Sequence, residues 1–480
     1  MSGSGGPALA RRTRVLLEQA LELYRDSARA TTWLRRHLAR LDDPLRLAVL
    51  GPQSCGKSTL VNALAGERVA PIEVAGWQPP AWYRAAPEAR AVGYPRSAPP
   101  FELAVRRAEQ EVWLDGEAAP GPVDRVELDW PNRALRELTL VDTPGLDRAE
   151  AAPVVEGVST EADAVLFLLP NPAQADLGFL RATRQHPIAR AAPVHALAVL
   201  SRADELGGGR VDALISARKV ARRHRREGET GLLCQDVVAV AGLPAAAGRT
   251  LREPEFAALA ELARVPKAEL EPYLLSADRL AGPEFPAPVD AGTRAGLLER
   301  FGLFGVRLAS TLLRREAGSQ AELAARLVAR SGLDELRESV GRYLTGRRPV
   351  LKARAALIAL EVVLRMEPRP GSAALAAELE RVVAGAHEFR ELRALAELRG
   401  GRVTLPDELR DDALRLLGDE GQAPAERLGM ADAEAAEDGV LRQAAAVALR
   451  RWQQHAENPA LGAAARRTAH TLVRTCEGLL

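Results

Sequence analysis

Gly51-Pro52-Gln53-Ser54-Cys55-Gly56-Lys57-Ser58 follows the apolar run Leu45–Leu50, and the two together decide the fold. The octet reads G-x-x-x-x-G-K-S, a phosphate-binding loop. In such a loop successive backbone N–H groups wrap a β-phosphate, and the glycines let the chain approach it closely. Lys57 is placed to reach β- and γ-oxygens, and the Ser58 hydroxyl to ligate Mg2+. Residues 45–50 suit a buried strand, and residues 58–65 continue as a helix whose N-terminus faces the phosphates. Strand, glycine loop and helix in this order predict a nucleotide-binding protein.

Two further motifs extend the site. Residues 138–141 are apolar and end in Asp142-Thr143-Pro144-Gly145. An Asp at the carboxyl end of a strand can hold a water on Mg2+, and the N–H of Gly145 can touch a γ-phosphate. Downstream, Ala198-Val199-Leu200 leads into Ser201-Arg202-Ala203-Asp204. GTPases place T/N-K-x-D at this point, where the carboxylate accepts from guanine N1–H and N2–H2 and the basic stem lies along the purine. Here Ser201 and Arg202 replace the first two residues, and a guanidinium plane can stack as a lysine stem does. The alternative for Asp204 is a cap that opens a helix near Val211. Ala241 and Gly242, after a last strand, are candidates for backbone contacts to guanine O6. The candidate nucleotide contacts are therefore Gly51, Gln53, Ser54, Cys55, Gly56, Lys57, Ser58, Thr59, Asp142, Gly145, Ser201, Arg202, Asp204, Ala241 and Gly242. Ser58 and Asp142 are the candidate metal residues, and GTP or GDP with Mg2+ the expected ligands.

Around these motifs the chain alternates short apolar strands with helical stretches. Strands are expected at 45–50, 125–130, 137–141, 164–169, 195–200 and 236–240, with a weak signal at 111–114 inside a Pro-, Ala- and Arg-rich stretch from 84 to 124. Helical crossovers between strands imply a mainly parallel sheet covered on both faces. Before it, Ala10, Thr13, Leu17, Ala20, Tyr24, Ser27, Thr31, Leu34, Leu38 and Leu41 recur at spacings of three and four, predicting one long helix over 10–41. After residue 290 strand signals vanish, and helices are expected at 293–316, 320–330, 333–344, 349–366, 374–398, 408–417, 440–457 and 461–478. The expected organisation is a neck helix at 8–43, an α/β domain at 45–278 and a helical region at 290–480 that joins the neck helix in one bundle.

Composition narrows the function. Of 480 residues, 47% are hydrophobic and 27% charged, ordinary for a folded chain of about three domains. The net charge of +1 gives no electrostatic case for nucleic acid. Cys55, Cys234 and Cys476 show no paired spacing, which suits a reducing cytoplasm. The seven histidines are scattered without ligand spacing. No cleavable leader is read at the start, and no apolar run is long enough to span a bilayer, so membrane contact is expected to be peripheral. Several features keep two readings. Cys55 is a redox switch or a small spacer, and Arg222-Arg223-His224-Arg225-Arg226 an anionic contact or a solvated face. Residues 362–370 are a lipid-dipping tip or core and turn, and Trp77, Trp82 and Tyr83 a cover for nucleotide or partner, or sheet-edge core.

Gln53-Ser54-Cys55-Gly56-Lys57-Ser58, Asp142-Thr143-Pro144-Gly145 and Ser201-Arg202-Ala203-Asp204, flanked by helices on both sides, resemble the dynamin superfamily. Residues 199–206, Gly302-Leu303-Phe304-Gly305-Val306-Arg307 and Val350-Leu351-Lys352-Ala353-Arg354 are similar to the isoniazid-inducible branch of actinobacterial dynamin-like proteins. The resemblance implies an α/β P-loop GTPase domain inserted in an all-α helical-bundle neck and trunk. It also implies GTP-dependent dimerisation or pairing with a dynamin-like paralogue, and membrane remodelling at the inner face of the cell membrane. Within it, Gln53 and Ser54 take catalytic roles, positioning water and compensating charge. One departure is large: the family's first-switch threonine has no counterpart. The corresponding stretch is Val74-Ala75-Gly76-Trp77-Gln78-Pro79-Pro80-Ala81-Trp82-Tyr83, and from 60 to 138 the only hydroxyl of serine or threonine is Ser97. Gln78 can orient water but offers no hydroxyl ligand, so slow hydrolysis is expected.

Overall fold

The computed structural model describes residues 6–71, 78–95, 98–108, 111–115, 123–146, 161–171, 176–183, 188, 195–206, 208–430 and 438–480. Ten strands form one sheet: β1 (Leu45–Leu50), β2 (Ala81–Ala85), β3 (Arg90–Pro95), β4 (Phe101–Ala108), β5 (Glu111–Asp115), β6 (Val123–Trp130), β7 (Leu138–Asp142), β8 (Ala164–Leu169), β9 (Ala196–Leu200) and β10 (Val237–Ala239). Their order is β10-β9-β8-β1-β7-β2-β6-β3-β4-β5. The half from β10 to β7 is parallel throughout. β2 then runs antiparallel to β7 and parallel to β6, and β6, β3, β4 and β5 continue antiparallel. Every residue of β8 and β9 is buried, the signature of strands covered on both faces.

The helices used below are α1 (Gly6–Leu23), α2 (Ala28–Arg40), α3 (Lys57–Ala65), α4 (Ala213–Glu227), α5 (Gly242–Arg249), α6 (Ala291–Arg315), α7 (Gln320–Ser331), α8 (Leu333–Tyr343), α9 (Arg348–Met366), α10 (Ser372–Gly385), α11 (His387–Arg399), α12 (Asp407–Leu416), α13 (Asp438–Glu457) and α14 (Ala463–Glu477). Alternation along the central strands divides their side chains between two cores. Leu47, Val49, Leu166, Leu168, Leu197 and Val199 meet α3 and, through Leu333, Leu336 and Val340, helix α8. Ala48, Leu50, Val165, Phe167, Ala198 and Leu200 face α4 and α6, through Leu214, Ala217, Leu297, Phe301 and Phe304. Helical cover of the sheet therefore continues past residue 278, to α8. A third core joins α1 and α2, through Leu16, Leu17, Tyr24 and Leu34, to Leu357 and Leu360 of α9, Leu375 and Leu379 of α10 and Phe389 of α11.

Four expectations change. The single helix over 10–41 is two: the chain breaks after Leu23, and Ser27 caps α2 by accepting from Ala30 N–H. The three-four seam survives the break, because the Thr31 hydroxyl bonds back to Tyr24 O at 2.9 Å and keeps both halves on one face. The stretch 374–398 divides at Ala386, whose extended backbone (φ −69°, ψ 96°) separates α10 from α11. Strands β3 and β4, with the end of β2, occupy the Pro-rich region, where only 111–114 carried a strand signal; the buried positions of β3 are Ala91 and Gly93, too small to register as an apolar run. The terminal helices reach the neck through an intermediary: α1 and α2 pack on α9 and α10, α13 and α14 pair with each other and lean on α11 and α12, and α11 belongs to both packings.

Candidate nucleotide-binding site

β1 delivers the chain to Gly51, whose φ of 155° and crowding explain the glycine. A Cβ there would lie 2.8 Å from Cys55 Sγ and 3.0 Å from Leu168 O. The loop returns through Gly56 (φ 97°), which caps α3 with its backbone alone. Lys57 is buried, and its amine donates to Pro52 O at 2.7 Å and Gly51 O at 3.2 Å. Gln53 and Ser54, at the loop's crest, are exposed.

The candidate metal side joins the first turn of α3 to the end of β7. Ser58 donates to Asp142 Oδ2 at 2.6 Å, while Asp142 Oδ1 is buried with no hydrogen-bond partner. Burial pushes the Asp142 pKa up to about 6, with the Ser58 hydroxyl and the Lys57 amine pulling against it. A buried carboxylate with one oxygen unsatisfied, beside a serine hydroxyl, fits a hard divalent cation, which Ser58 and Asp142 would hold. Mg2+ there would neutralise phosphate charge. The following turn is tied down: Thr143 donates to Val49 O at 2.8 Å and Leu146 N–H to Gly51 O at 3.1 Å, with Gly145 buried between them.

The base side is a cavity of about 220 Å³ beside the loop. Of the candidate contacts, Ser54, Cys55, Gly56, Thr59, Ser201, Arg202, Asp204 and Gly242 line it; Leu60, Leu168, Val199, Val240, Glu205 and Leu243 complete it. Ser201 Oγ is buried without a partner, and burial raises the Asp204 carboxyl. Asp212 flanks the start of α4, so Asp204 is not that helix's cap. Ser54 (φ 57°) and Arg202 (φ 51°) are the positive-φ residues other than glycine among the described residues, and Arg202 Nη2 donates to Ser54 O at 2.6 Å. Left-handed backbone at non-glycine residues costs about 1–3 kcal/mol each and concentrates at ligand sites. Burial pushes the Cys55 thiol up, which favours the spacer over the redox switch.

Ala241 is a correction. Its N–H donates to Ser331 O at 2.9 Å and it does not line the cavity; Gly242, at the start of α5, remains on the wall. Sequence reasoning also missed Asn62, buried on α3, whose amide binds Ala70 O and accepts from Val69 and Ala70 N–H. It pins the start of the stretch that leads to β2. Of that stretch, Val74, Ala75, Gly76 and Trp77 lie outside the described residues, whereas Gln78 is exposed and Trp82 and Tyr83 are buried in the sheet. Among the described residues no cluster of His, Cys, Asp and Glu has the makings of a separate metal centre, and no helix is long and apolar enough to cross a membrane.

Loop, buried aspartate and adjoining cavity meet at the carboxyl ends of β1, β7 and β9, the arrangement of a P-loop α/β domain, here joined to a large helical region. No protein-family model matches the chain. The isoniazid-induced protein IniC of Mycobacterium tuberculosis, in strains CDC 1551 / Oshkosh and ATCC 25618 / H37Rv, is 35% identical over 485 residues, covering 98% of both chains. The chain belongs to the family of the isoniazid-induced protein IniC. Looser likenesses among solved structures are an oligomerised bacterial dynamin pair described as sensing and tethering membranes (TM-score 0.31, 13% identity, 100% of this chain and 75% of that one) and LeoA, a bacterial dynamin GTPase from ETEC (TM-score 0.23, 13% identity, 98% and 73%). The family assignment rests on the mycobacterial relatives.

Proposed function

We propose that this protein binds GTP with Mg2+ and uses the bound nucleotide to control assembly, with itself or a dynamin-like paralogue, at a membrane surface. The observation that carries the reading is the meeting of three chemically distinct parts at one sheet edge: Lys57 in its glycine loop, the Ser58–Asp142 pair, and Asp204 on the wall of the adjoining cavity. Asp204 selects guanine, because one carboxylate accepts from both guanine donors and adenine presents a mismatched edge. Charge-assisted bonds of this kind contribute ~1.5–3 kcal/mol each. Competition against a fluorescent GTP analogue tests this: displacement by GTP and GDP with ATP ineffective is expected, and equal displacement by ATP overturns it. Lys57→Ala should remove tight binding while the fold persists. In this reading 45–278 is the nucleotide head, with 8–43 and 290–480 as neck and trunk. The GTP-bound form should dimerise more than the GDP-bound form and sediment with liposomes, which light scattering and co-sedimentation measure.

A second reading is favoured by one observation: Gln78 stands exposed before β2, where the family's switch hydroxyl is missing. Here the protein is a GTP-binding scaffold that hydrolyses slowly by itself. Losing one positioning contact costs ~10²–10³ in rate. Steady-state turnover with and without liposomes separates the two, and Gln78→Thr is the gain-of-function variant. Turnover at the rate of an active dynamin would remove the scaffold reading.

A further inference from the structure

We propose that Tyr83 is the outer-sphere partner of Asp142 and so sets how tightly the site takes Mg2+, an inference that rests on the nucleotide reading above. β2 lies antiparallel on β7 with Ala81 opposite Asp142 and Tyr83 opposite Leu140. Directly opposed residues share a face, and side chains alternate along a strand, so Tyr83 and Asp142 stand on the same face as diagonal neighbours. That spacing is within reach of a long aromatic side chain.

Two polar atoms in this enclosed region lack partners among the described residues. The Tyr83 side chain is fully buried and its hydroxyl has no hydrogen bond, although a buried phenol ordinarily finds one. Asp142 offers the complement: Oδ2 is taken by Ser58, and Oδ1 is buried and unmet. One is a donor and the other an acceptor. The carboxylate's field also reaches the phenol, adding to the burial that holds it protonated. The simplest completion is a hydrogen bond from Tyr83 to Oδ1 through one ordered water, which needs only two to four polar partners to be held. Such a bond fixes the carboxylate in the rotamer that meets Ser58. Tyr83 acts as a positioning residue, touching neither metal nor phosphate itself. A hydroxyl thus comes to the metal site from the end of the very stretch that lacks the threonine, one shell further out.

The test is the isosteric Tyr83→Phe in the full chain. A purely structural phenol predicts an unchanged Mg2+ requirement, since deletion removes only an unpartnered hydroxyl. The proposal predicts about a tenfold rise in the Mg2+ concentration for half-maximal binding of fluorescent GDP, the size expected for loss of an outer-shell partner, with affinity in EDTA unchanged. Trp82→Phe, on the opposite face of β2, should leave that concentration where it was. In an Asp142→Asn background Tyr83→Phe should add nothing. If the parent binds GDP with a clear Mg2+ dependence and Tyr83→Phe does not move it, this inference falls alone. If the parent binds no nucleotide at any Mg2+ concentration, the functional reading falls and this one with it.

Discussion

Asp142 and Asp163 are both buried aspartates on strands flanking β1, yet they sit at opposite ends of the sheet and opposite ends of satisfaction. Asp163, just before β8, accepts from Arg40 at 3.1 Å on one oxygen and from Lys352 at 3.0 Å and Arg46 N–H at 2.9 Å on the other. The Lys352 amine also donates to Arg40 O at 2.8 Å, so one carboxylate binds α2, β1 and α9 together. Asp142, at the end of β7, has one serine and an idle oxygen. A buried charge that is fully met belongs to the scaffold, and one left partly unmet is shaped for something else to complete. The P-loop end and the helix-binding end of a single sheet are distinguished by this, rather than by burial or charge.

The sharpest way to break the contrast is to remove both carboxylates in turn. Asp163→Ala strands Arg40 and Lys352 without their partner and should destabilise the protein by about 3–5 kcal/mol in denaturant unfolding. Asp142→Asn should do the reverse in nucleotide-free protein. Its carboxylate, raised from 3.8 to about 6, is penalised when ionised in the fold, so the variant gains up to about 3 kcal/mol above pH 6 and nothing below 3.8. Destabilisation by Asp142→Asn at pH 7.5 would erase the distinction. An acid titration probes the Asp163 end from another side. His37 is pushed down from 6.5 to about 2, chiefly by burial and also by Arg40, Arg36 and Arg46. Buried His195 is shifted the same way. The unfolded chain binds protons that these residues refuse, so stability holds above pH 6.5 and falls below it by about 1.4 kcal/mol per pH unit per group. His37→Asn should flatten that limb of the melting profile. The smallest effect is local: Ser27→Ala removes the cap of α2 and a bond to Glu367, lowering stability by about 1 kcal/mol.

The legible parts of this molecule are those whose chemistry restricts residue type and spacing together. Lys57, Ser58, Asp142 and Asp204 could be read because phosphate, metal and base each demand a particular side chain at a strand end. The parallel half of the sheet could be read because β8 and β9 are apolar throughout. In the antiparallel half β6 and β5 could be read but β3 could not, since its buried positions are Ala91 and Gly93, too small to mark an apolar face. The break at Tyr24 to Ser27 is invisible to periodicity because the seam runs straight through it. Long-range pairing hides most. Ala241 loses its N–H to Ser331, and the face of β2 that Tyr83 occupies follows from its register with β7, which no local pattern encodes.

The self-contacts of the loop have a kinetic consequence. Lys57 donates to Gly51 O and Pro52 O, and Arg202 spans to Ser54 O, so on the proposed reading a phosphate and a purine would each displace an internal acceptor. The conformer able to receive nucleotide is then only a fraction of the population, and the observed affinity is the intrinsic one scaled by that fraction. Association should be limited by opening rather than by encounter. In stopped flow the binding rate should level off with rising nucleotide concentration, and Arg202→Ala should lift the plateau.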